Sequence, residues 1–203
     1  MSRPGTFGRV YAAIKGRLRE GEFRPGDRLE PALLSDELNA SVTPVRDALH
    51  RLTGERLVEA PRHEGFRVPL LTETTLRHLY AWHLDLLMLA VMKKLVPGTD
   101  ECSSEADFQS VKSLTERQNA VFLELAKSSG NPEHLLALRT LTEKLEPIQR
   151  FEEKILNVLE SETAAILRAL RDHDRKALRR QLVQYHRRRQ RIVPALLAMM
   201  EVG

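Results

Sequence analysis

The chain has 203 residues, 42% of them hydrophobic and 30% charged, a balance that excludes a disordered tail, and its low aromatic content favours helices over a sandwich or barrel. The formal net charge is only +4, shared about evenly between residues 1–70 and the remainder, so bulk charge marks no basic domain and any nucleic-acid argument has to come from motifs. A single cysteine, Cys102, excludes an intrachain disulfide and a cysteine-based zinc cluster, and no run is apolar and long enough to span a membrane or serve as a signal peptide, so the cytoplasm is the expected compartment.

From Phe7 onward, Val10, Tyr11, Ile14 and Leu18 recur at helical spacing until Gly21 and the pair Pro25-Gly26 end the pattern. Pro31 suits the first turn of a second short helix over residues 31–38, with Leu33, Leu34 and Leu38 predicted to face inward. After a break at residues 39–41, Thr43 is the expected N-cap and Pro44 the first residue of a third helix, carrying Val45, Ala48, Leu49 and Leu52 on one face and ending at Gly54. Residues 57–60 and 66–68 read as two short strands around a hairpin tip at residues 61–65. Helix, helix, turn, helix, hairpin is the order of a winged helix-turn-helix, and the short connection between helices two and three fits it.

Beyond Pro69 the texture turns to long helical periods, beginning with Leu76, Leu79, Tyr80, Leu86, Leu87 and Ala90, followed by a loop at residues 97–100. Further helices are expected over residues 105–127, 132–145, 148–159, 162–171 and 175–200. The predicted fold class is therefore mainly α: a winged helix-turn-helix over residues 1–70 and an all-helical bundle over residues 71–203.

The run from Ile14 to Pro69, with LREGEFRPGDRL, TPVRDALHRL and ERLVEAP followed by GFRVP, resembles the GntR family of bacterial regulators. The remainder, with LRHLY and LAKSSGNPEHLLAL, resembles the helical effector domain, called FCD, of the FadR-type subfamily. The resemblance implies a homodimer on a short palindromic operator of double-stranded DNA, repressing a nearby operon until a small metabolite, often an organic acid, binds the C-terminal domain.

In a helix-turn-helix the third helix enters the major groove, and its N-terminal residues reach base edges. Arg46 lies one turn in, where its planar guanidinium can grip guanine O6 and N7 bidentately; the plain alternative is an ion pair with Asp47 or Glu55. Ser41, Thr43, His50 and Arg51 are further candidates, Thr43 as cap or contact and Arg51 as a phosphate neutraliser. Arg62, His63, Gly65 and Arg67 belong to the wing. Relatives usually carry arginine where this chain has Val42 and Ala32, and a basic residue where it has Glu64, so altered operator preference and weaker affinity are expected.

Many FCD relatives hold a divalent metal through Asp-x-x-x-His on one helix and two later histidines. The resemblance places those positions at Asn119, Leu123, Thr163 and Tyr185 or His186, which lack the ligands, so neither metal nor cofactor is expected. His83, Asn119, Thr163, Tyr185 and His186 are instead the candidate lining of an effector pocket, while His78, His83 and His173 taken as a set suggest only polar or packing roles. The basic run Arg187–Arg189 with Arg191 reads as a solvated face at the edge of a dimer interface. An enzyme is the weaker reading: Cys102 has no nearby histidine, no glycine-rich phosphate loop is present, and the carboxylates sit at surface spacing. A third reading is a dimerising accessory protein that has lost operator binding.

Overall fold

The computed structural model describes residues 5–92 and 113–202, which divide into two compact units, one of residues up to Leu71 together with those from Met200 and one of residues between Thr72 and Met199. Eight helices and two short strands make up these residues. Cys102, the loop at 97–100 and the first part of the helix expected over 105–127 lie outside the described residues.

In the N-terminal unit, α1 (Thr6–Glu20) buries Val10, Ile14 and Leu18, one residue per turn, as the spacing dictates. Gly21 ends it in the left-handed region at φ 74°, a conformation that costs glycine no Cβ clash. Strand β1 (Arg28–Leu29) precedes α2 (Pro31–Glu37), which begins with proline, a residue whose missing N–H is no loss in the first turn. Leu34 is buried there, but Leu33 is 61% exposed, contrary to expectation. Adjacent positions on a helix diverge by about 100°, and a two-turn helix buries a single narrow stripe.

Helix α3 (Val42–Gly54) starts two residues earlier than the Thr43 cap implied. Ser41 is its N-cap, in extended conformation and without a side-chain cap hydrogen bond, and Thr43 lies within the first turn. Pro44 is accommodated because the first-turn N–H groups have no intrahelical partner. Val45, Ala48, Leu49 and Leu52 close over α1 and α2 and are each 0% exposed; burying a Val or Leu side chain stabilises by about 1.5–3 kcal/mol, so this row fixes the orientation of α3.

The wing differs from the hairpin read in the sequence. Strand β2 (Phe66–Arg67) pairs antiparallel with β1, Arg28 opposite Arg67 and Leu29 opposite Phe66, while the segment expected to be its hairpin partner contributes only the bridge between Glu59 and Arg67. That bridge exchanges two backbone hydrogen bonds, of 2.8 and 2.9 Å. Proline at 61 cannot donate to a ladder, and a two-residue strand such as Arg28–Leu29 has no alternation to reveal it.

The C-terminal unit begins with α4 (Glu73–Met92), followed by α5 (Leu114–Lys127), α6 (Pro132–Ile155), α7 (Leu159–Arg171) and α8 (Arg175–Val202). Ser113 caps α5 by accepting from the Glu116 N–H, and Asn131 caps α6 by accepting from the Glu133 N–H. Two helices expected over 132–145 and 148–159 are one continuous helix with Pro147 inside it. The proline withholds one backbone donor, but Leu145 and Ile148 on either side are both buried, and tertiary packing of that face outweighs the local penalty.

Candidate functional site

The outward face of α3 and the wing carry all the residues expected to meet DNA. Ser41, Thr43, Arg46, His50, Arg51, Arg62, His63 and Gly65 are exposed, and Arg67 is half-buried. Arg46 stands on the outward side of α3, opposite the buried row, with no ion pair to Asp47 or Glu55. The same is not true of its neighbours. Arg51 Nε donates to Glu55 Oε1 at 3.4 Å, and its guanidinium lies 4.3 Å from the Tyr11 ring centroid, a cation over a ring face. Glu55 is the hub of this group: Tyr11 OH donates to it at 2.6 Å and Lys15 Nζ at 2.9 Å. Partial burial opposes its charge, but the donors from Tyr11, Lys15 and Arg51 outweigh burial and hold its carboxyl below the ordinary value.

In the wing, Arg67 donates to Glu59 Oε2 at 3.1 Å and to Glu64 Oε2 at 3.3 Å, so much of its charge is already answered within the protein. His50 rests edge-on against Phe66, ring centroids 4.9 Å apart, which ties the middle of α3 to the wing. His63 and Gly65 shape the wing tip with positive φ, 64° and 77°, a region that favours glycine. Arg28, missed in the sequence because its strand was missed, is exposed on the strand paired with Arg67.

The five candidate effector residues also come together, in the core of the C-terminal unit. His83, Asn119, Thr163, Tyr185 and His186 are all buried. His186 Nδ1 lies 2.7 Å from the Leu182 carbonyl and His83 Nδ1 lies 2.9 Å from His186 Nε2. A carbonyl only accepts, so His186 Nδ1 carries a proton, its Nε2 accepts from His83 Nδ1, and His83 Nε2 is left as a bare acceptor. No partner for that atom is found among the described residues. Tyr185 OH donates to Gln118 Oε1 at 3.0 Å, Gln118 Nε2 donates to Thr163 Oγ1 at 3.2 Å, and Asn119 Nδ2 donates to Gln149 Oε1 at 2.9 Å.

The centre of this core is a residue read in the sequence as solvated. Arg189 is 0% exposed; its Nε donates to Glu152 Oε2 at 2.8 Å and its Nη1 to Glu162 Oε2 at 2.5 Å. Tyr80 OH donates to Glu152 Oε1 at 2.5 Å, Arg188 also donates to Glu162, and the Arg189 guanidinium lies 3.5 Å from the Tyr185 ring centroid. Two carboxylates and two guanidiniums therefore balance. A signal for this was available: Leu178, Leu182, Tyr185, Arg189, Val193, Leu196 and Met200 are the buried row of α8, and Arg189 falls in step with it, whereas Arg187 and Arg191 are exposed. Burial depresses both imidazoles, joined at His83 by neighbouring His186 and then Arg189, and at His186 by Arg189 against the Leu182 hydrogen bond; His186 is lowered to about 4, so both are neutral near pH 7. Burial also pushes the Tyr185 and Tyr80 hydroxyls well up, keeping them protonated.

The metal positions implied by the FCD resemblance do not fit a metal. Asn119 offers only a neutral carbonyl oxygen, its Nδ2 being bonded to Gln149, Thr163 donates to the Leu159 carbonyl at 2.8 Å, and a protonated tyrosine is a poor ligand. Among the described residues no three His, Cys, Asp or Glu side chains converge to hold an ion. His78 and His173 are exposed and do not join His83.

Three helices followed by the wing give the N-terminal unit the order of a winged helix-turn-helix, and Arg46 on the third helix is exposed, with no ion pair among the described residues. Residues 6–68 match the family described as bacterial regulatory proteins, gntR family. Among curated relatives, the chain is 28% identical over 95 residues to the HTH-type transcriptional repressor GlaR of Escherichia coli K12, covering 47% of this chain and 43% of that protein. It is 37% identical over 79 residues to the Nta operon transcriptional regulator of Aminobacter aminovorans, covering 39% and 38%. The matches thus span less than half the length of either relative. Among solved structures, E. coli McbR/YncC aligns over 95% of this chain and 99% of its own with a TM-score of 0.67 at 22% identity. A structure from Rhodococcus sp. RHA1, assigned to the GntR regulators, aligns over the same shares with a TM-score of 0.75 at 18% identity. At such identities the likeness speaks for the fold.

Proposed function

We propose that the chain is a transcriptional regulator, a repressor, that binds a palindromic operator as a homodimer and is modulated by a small metabolite in an FCD-like C-terminal domain. Arg46 is the observation that carries this reading. It is a bidentate-capable side chain on the first turns of the recognition helix, exposed and, among the described residues, held by no carboxylate, where a structural arginine would be paired. A protein of this kind works where the chromosome is, in the cytoplasm, and among the described residues no helix is long and apolar enough to cross a membrane.

Two-fold symmetry of the operator asks for a two-fold protein, since one winged helix makes too few contacts for tight binding. Helix α4 offers the surface: Trp82, Leu89 and Met92 are 50%, 49% and 74% exposed and share one side of the helix by their spacing. Trp82→Glu is expected to convert the dimer to a monomer in light scattering; a wild-type mass that is monomeric at every concentration would remove the basis for palindromic recognition.

The buried polar core is the proposed effector site, lined by His83, Asn119, Thr163, Tyr185 and His186. Arg189, the one fully buried cation among the described residues, is already matched by Glu152 and Glu162, which favours a neutral or weakly acidic ligand over a dicarboxylate. Elemental analysis of untagged protein checks the metal-free reading; stoichiometric zinc or nickel lost on replacing His83 or His186 overturns it.

The accessory-protein reading keeps one observation in its favour, the neutralisation of Arg67 by Glu59 and Glu64. A gel shift on DNA taken from upstream of the chain's own gene separates the two. A specific complex that Arg46→Ala weakens supports the regulator; no complex at low salt supports the accessory protein.

A further inference from the structure

Val42 is the first residue of α3 and is 36% exposed, an apolar, β-branched side chain at the tip of the helix that the proposed function sends into the major groove. It lies outside the buried row of Val45, Ala48, Leu49 and Leu52, and four residues before Arg46, so the two side chains are neighbours on one outward ridge that continues to His50. Farther along, the polar side chains are engaged within the protein: His50 against Phe66, and Arg51 with Glu55 and Tyr11. Base reading therefore falls to the first turns, where Val42 stands beside Arg46. The major groove presents one apolar group, the C5-methyl of thymine, and one paired acceptor edge, O6 and N7 of guanine.

We infer that Val42 is a specificity-determining residue that packs on a thymine methyl while Arg46 takes a guanine; this rests on the operator-binding reading above. Four helical residues rise about 6 Å, and base pairs are stacked about 3.4 Å apart, so the thymine and the guanine are one or two base pairs apart in each half-site. Apolar contact with a methyl replaces the bidentate hydrogen bonds an arginine at this position would make, which changes the base preferred without removing the contact.

The test begins with selection of binding sequences from a randomised duplex library by the full chain. Each thymine of the selected duplex is then replaced singly by deoxyuridine, which lacks only the methyl group. One replacement per half-site is expected to weaken the wild type about fourfold, the worth of one buried methyl, while Val42→Ala binds the thymine and uracil duplexes alike. Val42→Arg is expected to change the base selected at that position from thymine to guanine. The inference is overturned if no uracil replacement weakens the wild type, a result independent of whether any variant folds, or if Val42→Ala keeps the whole loss. Failure of the library to yield any sequence overturns the operator-binding reading, and this inference with it.

Discussion

The two units treat their charges in opposite ways. The N-terminal unit buries apolar side chains, Val10, Ile14, Leu49 and Leu52 among them, with Ser35 the one buried polar residue among its described residues, and keeps its arginines exposed or half-buried, several of them in surface ion pairs. The C-terminal unit draws Arg189, Glu152 and Glu162 inside, together with two neutral histidines. Surface charge costs little to keep and is worth little to stability, so it is available for a partner. Buried charge is stabilising only while every partner is present. The first arrangement suits a surface that meets phosphate and base edges, and the second gives a core whose integrity depends on its polar contents.

That contrast is open to experiment, beginning with its strongest consequence. Arg189→Met leaves Glu152 buried without its cation and Glu162 with Arg188 alone and is expected to cost about 3–5 kcal/mol in urea denaturation, whereas Arg46→Ala at the surface should stay within about 0.5 kcal/mol of wild type. Equal effects from the two would erase the distinction.

Acid should act on the C-terminal core next. His83 and His186 are held below their ordinary value in the fold, His186 at about 4, so below pH 6.5 the unfolded chain binds protons that the folded chain refuses. Stability is then fully present above pH 6.5 and is lost as pH falls toward 4, by about 1.4 kcal/mol per pH unit for each histidine. Urea midpoints measured between pH 7.5 and 5 check this, and His186→Gln is expected to flatten the dependence.

The smallest effect belongs to the N-terminal surface. Arg51→Ala is expected to weaken binding to all DNA sequences alike and to reduce the salt dependence by about one counterion per half-site. A sequence-dependent loss would mean that Arg51 leaves Glu55 and Tyr11 to read a base.

The units also differ in how much of them was legible from sequence. The spacing of Val10, Ile14 and Leu18, the row Val45 to Leu52, and Pro31 at a helix start are local signals, and each placed its element to within a residue or two. Leu33 and the strand at Arg28–Leu29 escaped because a seven-residue helix and a two-residue strand carry too little period to fix a face. In the C-terminal unit, Asn119, Thr163, Tyr185 and His186 were named through family resemblance and His83 apart from it, and the structure brings all five into one core. Arg189 was missed because charge was weighed above register: within three successive arginines, only its step with Leu182, Tyr185 and Val193 distinguishes it. Its partners lie 37 and 27 residues away in the chain, on two other helices, and no local pattern pairs them.

The measurement that bears most directly on DNA reading by the N-terminal unit is the affinity of wild type and Arg46→Ala for a selected operator and for a scrambled duplex at one salt concentration. Loss of a bidentate guanine contact is expected to lower operator affinity about tenfold to a hundredfold, with the scrambled duplex changed far less. Equal losses on both duplexes, or a wild type that prefers neither, would contradict it.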